Sequence, residues 1–144
     1  MIRLSNYNLC FRPHKKGFAK ILGDLETRVM EVVWRRKEVS VRDVFQELAQ
    51  NRSSLAYTTI LSTMGNLYRK GFLQRDKSGT AYLYHPVFTR DELATMAVNE
   101  VLKGLLESFS QPFMACLTGL GRDSDLAEAV ENLEKVLAER EGSE

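Results

Sequence analysis

The chain has 144 residues, of which 44% are hydrophobic and 27% charged, enough for one ordinary domain or a small domain with an appendage. This composition argues against disorder, and no apolar run approaches the roughly 18 residues of a membrane span. The amino-terminal residues lack the apolar segment of a signal peptide. The two cysteines, Cys10 and Cys116, lie far apart, which favours a reducing compartment. We therefore expect a cytoplasmic protein without membrane insertion.

The net charge of +1 is the sum of a basic amino-terminal segment and an acidic carboxy-terminal segment. Residues 1–88 hold 15 Lys and Arg against 7 Asp and Glu, whereas residues 89–144 hold 5 against 12. A basic segment attracts polyanions, although a run of charge is more often a solvated surface. The division indicates that the two segments have different partners.

Residues 1–20 form a basic extension without hydrophobic periodicity, interrupted by Pro13 and Gly17. This pattern leaves a loose tail and an ordered arm as equal alternatives. A first helix follows, with Asp24 as its N-cap. Its apolar residues fall at helical spacing: Leu25, Val29, Val32 and Val33.

Two further helices are indicated by end signals and periodicity. Ser40 and Asp43 form a capping box at the start of a helix with the stripe Val41, Val44, Phe45 and Leu48. After a turn at "RSSL", a third helix covers about 57–70 and ends at Gly71. Its expected inner face comprises Ile60, Met64, Leu67 and Tyr68.

Two strands at 72–75 and 80–84 are expected to pair as a hairpin, with a turn at 77–79. Pro86 is expected to end this compact unit. Thr89 and Glu92 form the capping box of a fourth helix, and Pro112 breaks its pattern before a short apolar helix. A last helix starts near Ser124. The expected order is three helices, a hairpin and three helices.

Three helices followed by a hairpin with a basic tip are the plan of a winged helix-turn-helix, a mainly α fold. In such folds the third helix enters the major groove of DNA and the hairpin, or wing, touches the backbone beside it. Thr58, Ser62, Asn66 and Arg69 follow one another at steps of 4, 4 and 3 residues and therefore share a helical face. Hydroxyl groups there suit contacts with phosphates and base edges.

The segments "LGDLETRVMEVVW", "VSVRDV", "LAYTTILSTMGNLYRKGFL" and "GTAYLYHP", in that order, resemble the BlaI/MecI/CopY penicillinase-repressor family. The resemblance runs from about Leu22 to at least Leu106. Members are winged-helix repressors that bind two-fold-symmetric operators as homodimers joined through carboxy-terminal helices. The resemblance implies a DNA-binding domain at 21–88, a dimerisation region at 89–144, and double-stranded operator DNA and a second copy as partners.

Matched position by position, the resemblance implies DNA contacts from Tyr57, Thr58, Thr59 and Ser62. Asn66 stands where many members carry Arg, which suggests adenine reading instead. With the basic and polar residues nearby, the predicted DNA-binding set is Ser40, Arg42, Tyr57, Thr58, Thr59, Ser62, Thr63, Asn66, Arg69, Arg75, Lys77 and Ser78. The predicted dimerisation set is Leu93, Met96, Val101, Leu105, Phe109, Leu126, Val130, Leu133 and Leu137. The aromatic residues of the wing strands, Tyr82 and Tyr84, are expected to pack the wing onto the first helix.

Family members are induced by more than one route. Copper-responsive members carry paired cysteines in the tail, where this chain has Cys116 alone. In the β-lactam-responsive branch a membrane sensor protease triggers cleavage within the dimerisation helices, and Ser108-Phe109 is the bond here that best resembles the one cut there. An interhelical turn without any protease role is the alternative.

Two other classes of protein compete with a DNA-binding repressor. An enzyme is disfavoured because the two scattered histidines, His14 and His85, assemble no nucleophile, metal site or cofactor site. The stronger rival is a winged helix that binds a protein partner. An apolar surface on residues 57–70 would favour that rival, whereas hydroxyl groups and cations favour DNA.

Overall fold

The computed structural model describes residues 2–4, 9–50 and 54–119, and the isolated positions 128, 131, 135 and 138. The chain divides into two compact units, Met1–Leu102 and Lys103–Glu144. The elements are β1 (Ile2–Leu4), β2 (Leu9–Phe11), a 3₁₀-helix (Gly17–Lys20), α1 (Asp24–Arg36), α2 (Val41–Ala49), α3 (Tyr57–Arg69), β3 (Leu73–Ser78), β4 (Ala81–Pro86), α4 (Arg90–Ser108) and α5 (Ser110–Gly119).

The structure confirms a mainly helical fold in which three helices precede a β-hairpin. Part of the predicted turn, residues 52 and 53, lies outside the described residues, and so do the residues of the last predicted seam, Leu126, Val130, Leu133 and Leu137. Among the helices of the described part, none combines the length and the apolar character that crossing a bilayer requires.

The first unit is built around one apolar core to which α1, α2 and α3 each contribute one side. The periodicity of three and four residues predicted these sides, because residues at that spacing lie one above another on a helix. The buried residues are Val29, Met30, Val32 and Val33 of α1, Val41, Val44 and Leu48 of α2, and Ile60, Met64 and Leu67 of α3.

The start of α1 differs from the expectation. Gly23, rather than Asp24, is the N-cap, and the Glu26 carboxylate accepts a hydrogen bond of 3.0 Å from the Gly23 N–H. A glutamate three residues into a helix has the reach for this bond, which the Asp24 side chain does not make. Glu26 also lies 2.5 Å from the Lys70 ammonium and so links the start of α1 to the end of α3.

The end of α3 is the one predicted. Gly71 has a φ of +86°, a conformation that costs other residues more. Its N–H donates to the Tyr68 carbonyl (3.1 Å), and the Phe72 N–H donates to the Leu67 carbonyl (2.9 Å). These two bonds form a Schellman motif, which turns the chain from α3 directly into the hairpin.

Strands β3 and β4 pair antiparallel and are longer than predicted. Ser78 pairs with Ala81, so the turn consists of Gly79 and Thr80, and the predicted turn at 77–79 was placed too early. Pro86 is the last residue of β4 and pairs with Leu73; a proline is tolerated at such a strand end because no ladder donor is needed there. The compact unit does not end at Pro86 as predicted but continues to Leu102.

The hairpin is attached to the helical layer near its base. The Val39 N–H donates to the Tyr84 carbonyl (3.1 Å), and the Tyr84 N–H donates to the Val39 carbonyl (2.8 Å). Tyr84 itself is buried in the core. These contacts confirm that Tyr84 packs the wing onto the helices.

Residues 9–22 form an ordered arm, which favours the second alternative for that part of the extension; residues 1 and 5–8 lie outside the described residues. The Arg12 N–H donates to the Lys20 carbonyl (2.6 Å), and the Arg12 guanidinium donates to the Leu22 carbonyl (3.0 Å). The Phe18 ring lies 4.8 Å from the Trp34 ring of α1, and the Arg90 guanidinium lies 5.4 Å from the centre of the Phe18 ring. The β1–β2 pairing that precedes these contacts was not predicted.

The start of α4 belongs to the first unit and is capped as predicted. The Thr89 N–H donates to the Glu92 carboxylate (2.8 Å), and the Glu92 N–H donates to the Thr89 hydroxyl (3.1 Å). Leu93 is fully buried in the core. The Trp34 indole N–H, 2.9 Å from the Phe88 carbonyl, holds the chain against α1 just before the helix begins.

The break between the last two described helices lies at Phe109, not at Pro112. Pro112 is the third residue of α5, where a helical N–H would have no intrahelical partner. The proline therefore fits inside the first turn of α5.

The start of α2 is closed by the predicted capping box. The Ser40 N–H and hydroxyl both donate to the Asp43 carboxylate (2.8 Å each), and the Asp43 N–H donates to the Ser40 hydroxyl oxygen (3.1 Å). The bond from the Ser40 N–H, followed by the bond from its hydroxyl, lowers the pKa of Asp43.

We predict that Ser40→Ala lowers the free energy of unfolding at pH 7 by about 1 kcal/mol, the usual value of such a cap. Because the folded state lowers the pKa of Asp43 below its ordinary 3.8, the carboxylate stabilises the fold above that value. Its contribution is lost as the pH falls through the lowered pKa. The difference in free energy of unfolding between the wild type and Ser40→Ala should therefore be smaller in strong acid than at pH 7, as measured by urea unfolding. Ser54→Ala, at an exposed residue before α3, is the control; an equal deficit at both pH values would contradict the assignment.

Candidate nucleic-acid interface

The outward side of α3 carries most of the predicted DNA-binding residues. The inner residues Ile60, Met64 and Leu67 have no exposed surface, which fixes the rotation of the helix about its axis. The opposite side is exposed and comprises Thr58, Ser62, Asn66 and Arg69, with Tyr57 and Thr59 beside them. The prediction that these residues share an exposed face is confirmed.

Two residues of α3 lie elsewhere than expected. Thr63 belongs to the predicted DNA-binding set, but it is only 9% exposed and its hydroxyl donates to the Thr59 carbonyl (2.8 Å). It follows Ile60 by three residues and so faces inward, with its polar group satisfied by the helix itself. Tyr68, expected on the inner face, is 39% exposed.

Arg75 joins the wing to the end of α3. Its guanidinium carbon lies 4.1 Å from the Tyr68 ring centre and 4.4 Å from the Tyr82 ring centre, and its Nη1 donates to the Tyr84 hydroxyl at 3.5 Å. This hydrogen bond raises the pKa of Arg75. The predicted phosphate-contacting cation thus has a role in holding the wing in place, and Tyr82, expected on the first helix, stacks on Arg75.

Arg42 and Lys77 are the predicted cations that point into solvent. Both are exposed, and no ion pair to either is found within residues 9–50 and 54–119. Lys77 and Ser78 lie next to the tip of the hairpin, in β3. Arg42 lines an open cavity of about 420 Å³ with Phe45, Gln46 and Tyr57, where α2 meets the start of α3.

The first turn of α3 has no side-chain cap. Its N-cap is Ala56, and no acidic residue lies in the first turn. The leading N–H groups of a helix carry partial positive charge, so this end of α3 attracts an anion. By contrast, Ser40 at the start of α2 already donates its only hydroxyl proton to Asp43, for which a phosphate oxygen would have to compete.

Asn66 is paired with Arg69, whose guanidinium donates to the Asn66 side-chain carbonyl. Adenine reading by an asparagine uses both the carbonyl and the amide of its side chain. In this arrangement the carbonyl oxygen already accepts one hydrogen bond, and its second lone pair and the amide remain for adenine. Arg69 therefore fixes the direction of the Asn66 side chain without using up its hydrogen-bonding groups.

The predicted dimerisation residues are divided between buried and exposed positions. In the first unit Leu93 is buried, Met96 and Val101 are half-buried, and the exposed apolar residues of α4 are instead Val98 and Leu102. In the second unit Leu105 is half-buried and Phe109 is 59% exposed. Sequence reasoning missed the other exposed apolar residues there, which are Leu106, Met114 and Leu117.

Three packed helices, a paired hairpin and an outward polar side on the third helix define a winged helix-turn-helix protein. Residues 22–139 match the penicillinase repressor family, and the chain belongs to that family.

Relatives are found among transcription regulators. The chain is 36% identical over 91 residues to the transcriptional regulator BlaI of Mycobacterium tuberculosis, a match covering 62% of this chain and 65% of that protein. It is 25% identical over 97 residues to the methicillin resistance regulatory protein MecI of Staphylococcus aureus, covering 65% and 78%. The chain thus spans just under two thirds of the BlaI regulator.

Among solved structures, the solution structure of the DNA binding domain of the repressor BlaI superposes with a TM-score of 0.45 at 28% identity. The superposition covers 49% of this chain and 85% of that one.

We predict that Arg75→Ala lowers the Tm by about 4 °C, because it removes two cation–π contacts. Arg75→Lys should not restore the Tm, because an ammonium lacks the flat surface that stacks on both rings. Lys77→Ala, two residues along the same strand, is the matched control and should leave the Tm almost unchanged. Thermal unfolding followed by circular dichroism measures all three; equal Tm values for Arg75→Ala and Lys77→Ala would refute the structural role of Arg75.

Proposed function

We propose that the protein is a cytoplasmic transcriptional repressor that binds operator DNA, with α3 in the major groove and the β3–β4 wing beside it. The observation that carries this proposal is the outward side of α3, which is polar and exposed while the inner side is fully buried. Membership of the penicillinase repressor family supports it.

The groups on this side suit a base edge and a phosphate. The Thr58 and Ser62 hydroxyls are short enough for the helix to come close, and a threonine methyl can meet the methyl group of thymine. Arg42 on α2 and Lys77 on the wing are exposed cations without an ion pair within residues 9–50 and 54–119. Together with the uncapped start of α3, they would hold the two flanking backbones.

The alternative is a winged helix that docks on another protein. Leu61 is 47% exposed, and Tyr57 and Tyr68 are also exposed, which gives this alternative some apolar surface. However, Tyr57 packs edge-on against the Phe45 ring at 5.6 Å and Tyr68 lies under Arg75. Only Leu61 is then free for an apolar partner, so the side favours DNA.

The operator is proposed to be two-fold symmetric and the protein a homodimer. One small reading unit gains affinity and spacing specificity when two copies are joined. The exposed apolar residues of the second unit, from Leu106 to Leu117, are surface that a second copy would bury. The residues of the last predicted seam remain part of this proposal.

We retain proteolytic induction by a membrane sensor protease as part of the proposal. The Ser108-Phe109 bond lies where α4 ends and α5 has not begun, and the exposed Phe109 side chain would be available to a protease. Cleavage there would separate the reading unit from most of the second unit and remove the advantage of two linked copies. Incubation with the cognate sensor tests this; operator release from an intact chain would refute it.

We predict that Thr58→Ala weakens binding to the preferred duplex by about 1 to 3 kcal/mol and relaxes its sequence preference. The duplex is obtained by selection from a random-sequence pool with the wild-type protein. Lys77→Ala is the matched control and should weaken binding to all sequences alike. It should also flatten the slope of log K against log salt by roughly one unit. Unchanged specificity in Thr58→Ala would show that α3 is not the reader.

We predict that Leu106→Asp shifts the protein from dimer to monomer by at least tenfold in dissociation constant, because a carboxylate would be buried at the interface. Sedimentation equilibrium measures the shift. Lys103→Asp, at an exposed polar residue of the same helix, introduces the same carboxylate without removing apolar surface. Equal dissociation constants for the two variants would place the dimer contact elsewhere.

A further inference from the structure

Gly65 lies on the outward side of α3, between Leu61 and Thr58 around the helix axis. It follows Thr58 by seven residues and Leu61 by four, and it precedes Arg69 by four. At about 100° of rotation per residue, this position lies roughly 130° around the helix from the mean direction of the fully buried Ile60, Met64 and Leu67. Gly65 is half-buried, whereas Ser62 and Arg69 are exposed and more directly opposite the core. Gly65 therefore stands on the flank of the outward side.

The fold of the chain does not need a glycine there. The glycines with positive φ within the described residues are Gly17, Gly71 and Gly79, so Gly65 has a conformation open to any residue. A Cβ atom built on Gly65 meets nothing within 4 Å. A glycine inside a helix is nevertheless less favourable than alanine by roughly 1 kcal/mol. No contact that Gly65 makes inside the described part of the protein offsets this cost.

The residues around Gly65 turn its missing side chain into a notch. Ser62 and Thr58, one and two turns before it, carry short side chains, whereas Leu61 and Asn66 lie to either side with longer ones. All four are exposed. The notch is therefore open to solvent and bounded on two sides. Such a shape admits a flat edge close to the helix backbone.

We infer that Gly65 is a positioning residue at which the backbone of α3 comes into direct contact with the edge of a base pair in the major groove. Glycine permits a close approach of backbone to a ligand. The depth at which Thr58 and Ser62 reach the bases is then set at Gly65. This inference rests on the proposed DNA-binding function and adds to it the point of closest approach.

The test is Gly65→Ala in the full chain. The methyl group should stabilise the isolated protein, raising the equilibrium constant for folding up to about fivefold. The same methyl group should weaken binding to the selected duplex at least tenfold, and Gly65→Val should weaken it further. Binding to a duplex of unrelated sequence should change much less, because such complexes depend on phosphate contacts. If Gly65 had only a structural role, Gly65→Ala would not combine a more stable protein with weaker DNA binding.

Thr95→Ala is the matched control, because it replaces an exposed residue of α4 by a better helix former without touching α3. It should stabilise the protein slightly and leave DNA binding unchanged. Equal affinity of Gly65→Ala and the wild type would overturn the inference while leaving DNA binding intact, and so would loss of stability in Gly65→Ala. Failure of the wild type to bind any duplex, even at low salt, would instead overturn the proposed function together with this inference.

Discussion

The complete burial of one side of α3 is the constraint on which the rest of the molecule depends. Ile60, Met64 and Leu67 have no contact with solvent, and the helix cannot rotate without exposing them. The Schellman motif at Gly71 and the Glu26–Lys70 pair hold the end of α3 as well. The polar side is therefore presented outward in a single orientation, which is what reading a sequence would demand.

The wing is positioned by contacts at two levels. Near its base, paired backbone bonds join Val39 to Tyr84. Further out, Arg75 lies between Tyr68 of α3 and Tyr82 of β4. A cation that sequence reasoning assigned to DNA thus serves the connection between helix and hairpin. Of the cations predicted to contact DNA, Arg42 and Lys77 are exposed and have no ion pair within residues 9–50 and 54–119.

Local signals predicted the helices well. The capping boxes at Ser40 and Thr89 and the glycine at 71 involve residues three or four apart, so their chemistry is visible in the sequence. Three- and four-residue periodicity likewise identified the buried sides of α1, α2 and α3. The outward position of Thr58, Ser62 and Arg69 follows from the same periodicity, which is why that part of the candidate site was predictable.

The features that could not be predicted from the sequence depend on contacts between residues far apart in the chain. The arm is ordered because Phe18 meets Trp34 and Arg90, and no local pattern announces such a meeting. Tyr68 was misplaced because an aromatic residue at the end of a helix can pack inward or stack on a neighbour such as Arg75. In α4, apolar residues occupy more than one side, so periodicity chose Leu93 and Val101 and passed over Val98 and Leu102.

The attachment of the arm and of α4 to the same helix sets the limits of an autonomous fragment. Phe18 covers Trp34 from one direction, and the Phe88 carbonyl accepts from the Trp34 indole, while Leu93 fills part of the core. A fragment trimmed to the three helices and the hairpin would leave this tryptophan uncovered and a hollow where Leu93 had been. A fragment that keeps these contacts therefore begins before Phe18 and continues past Leu93.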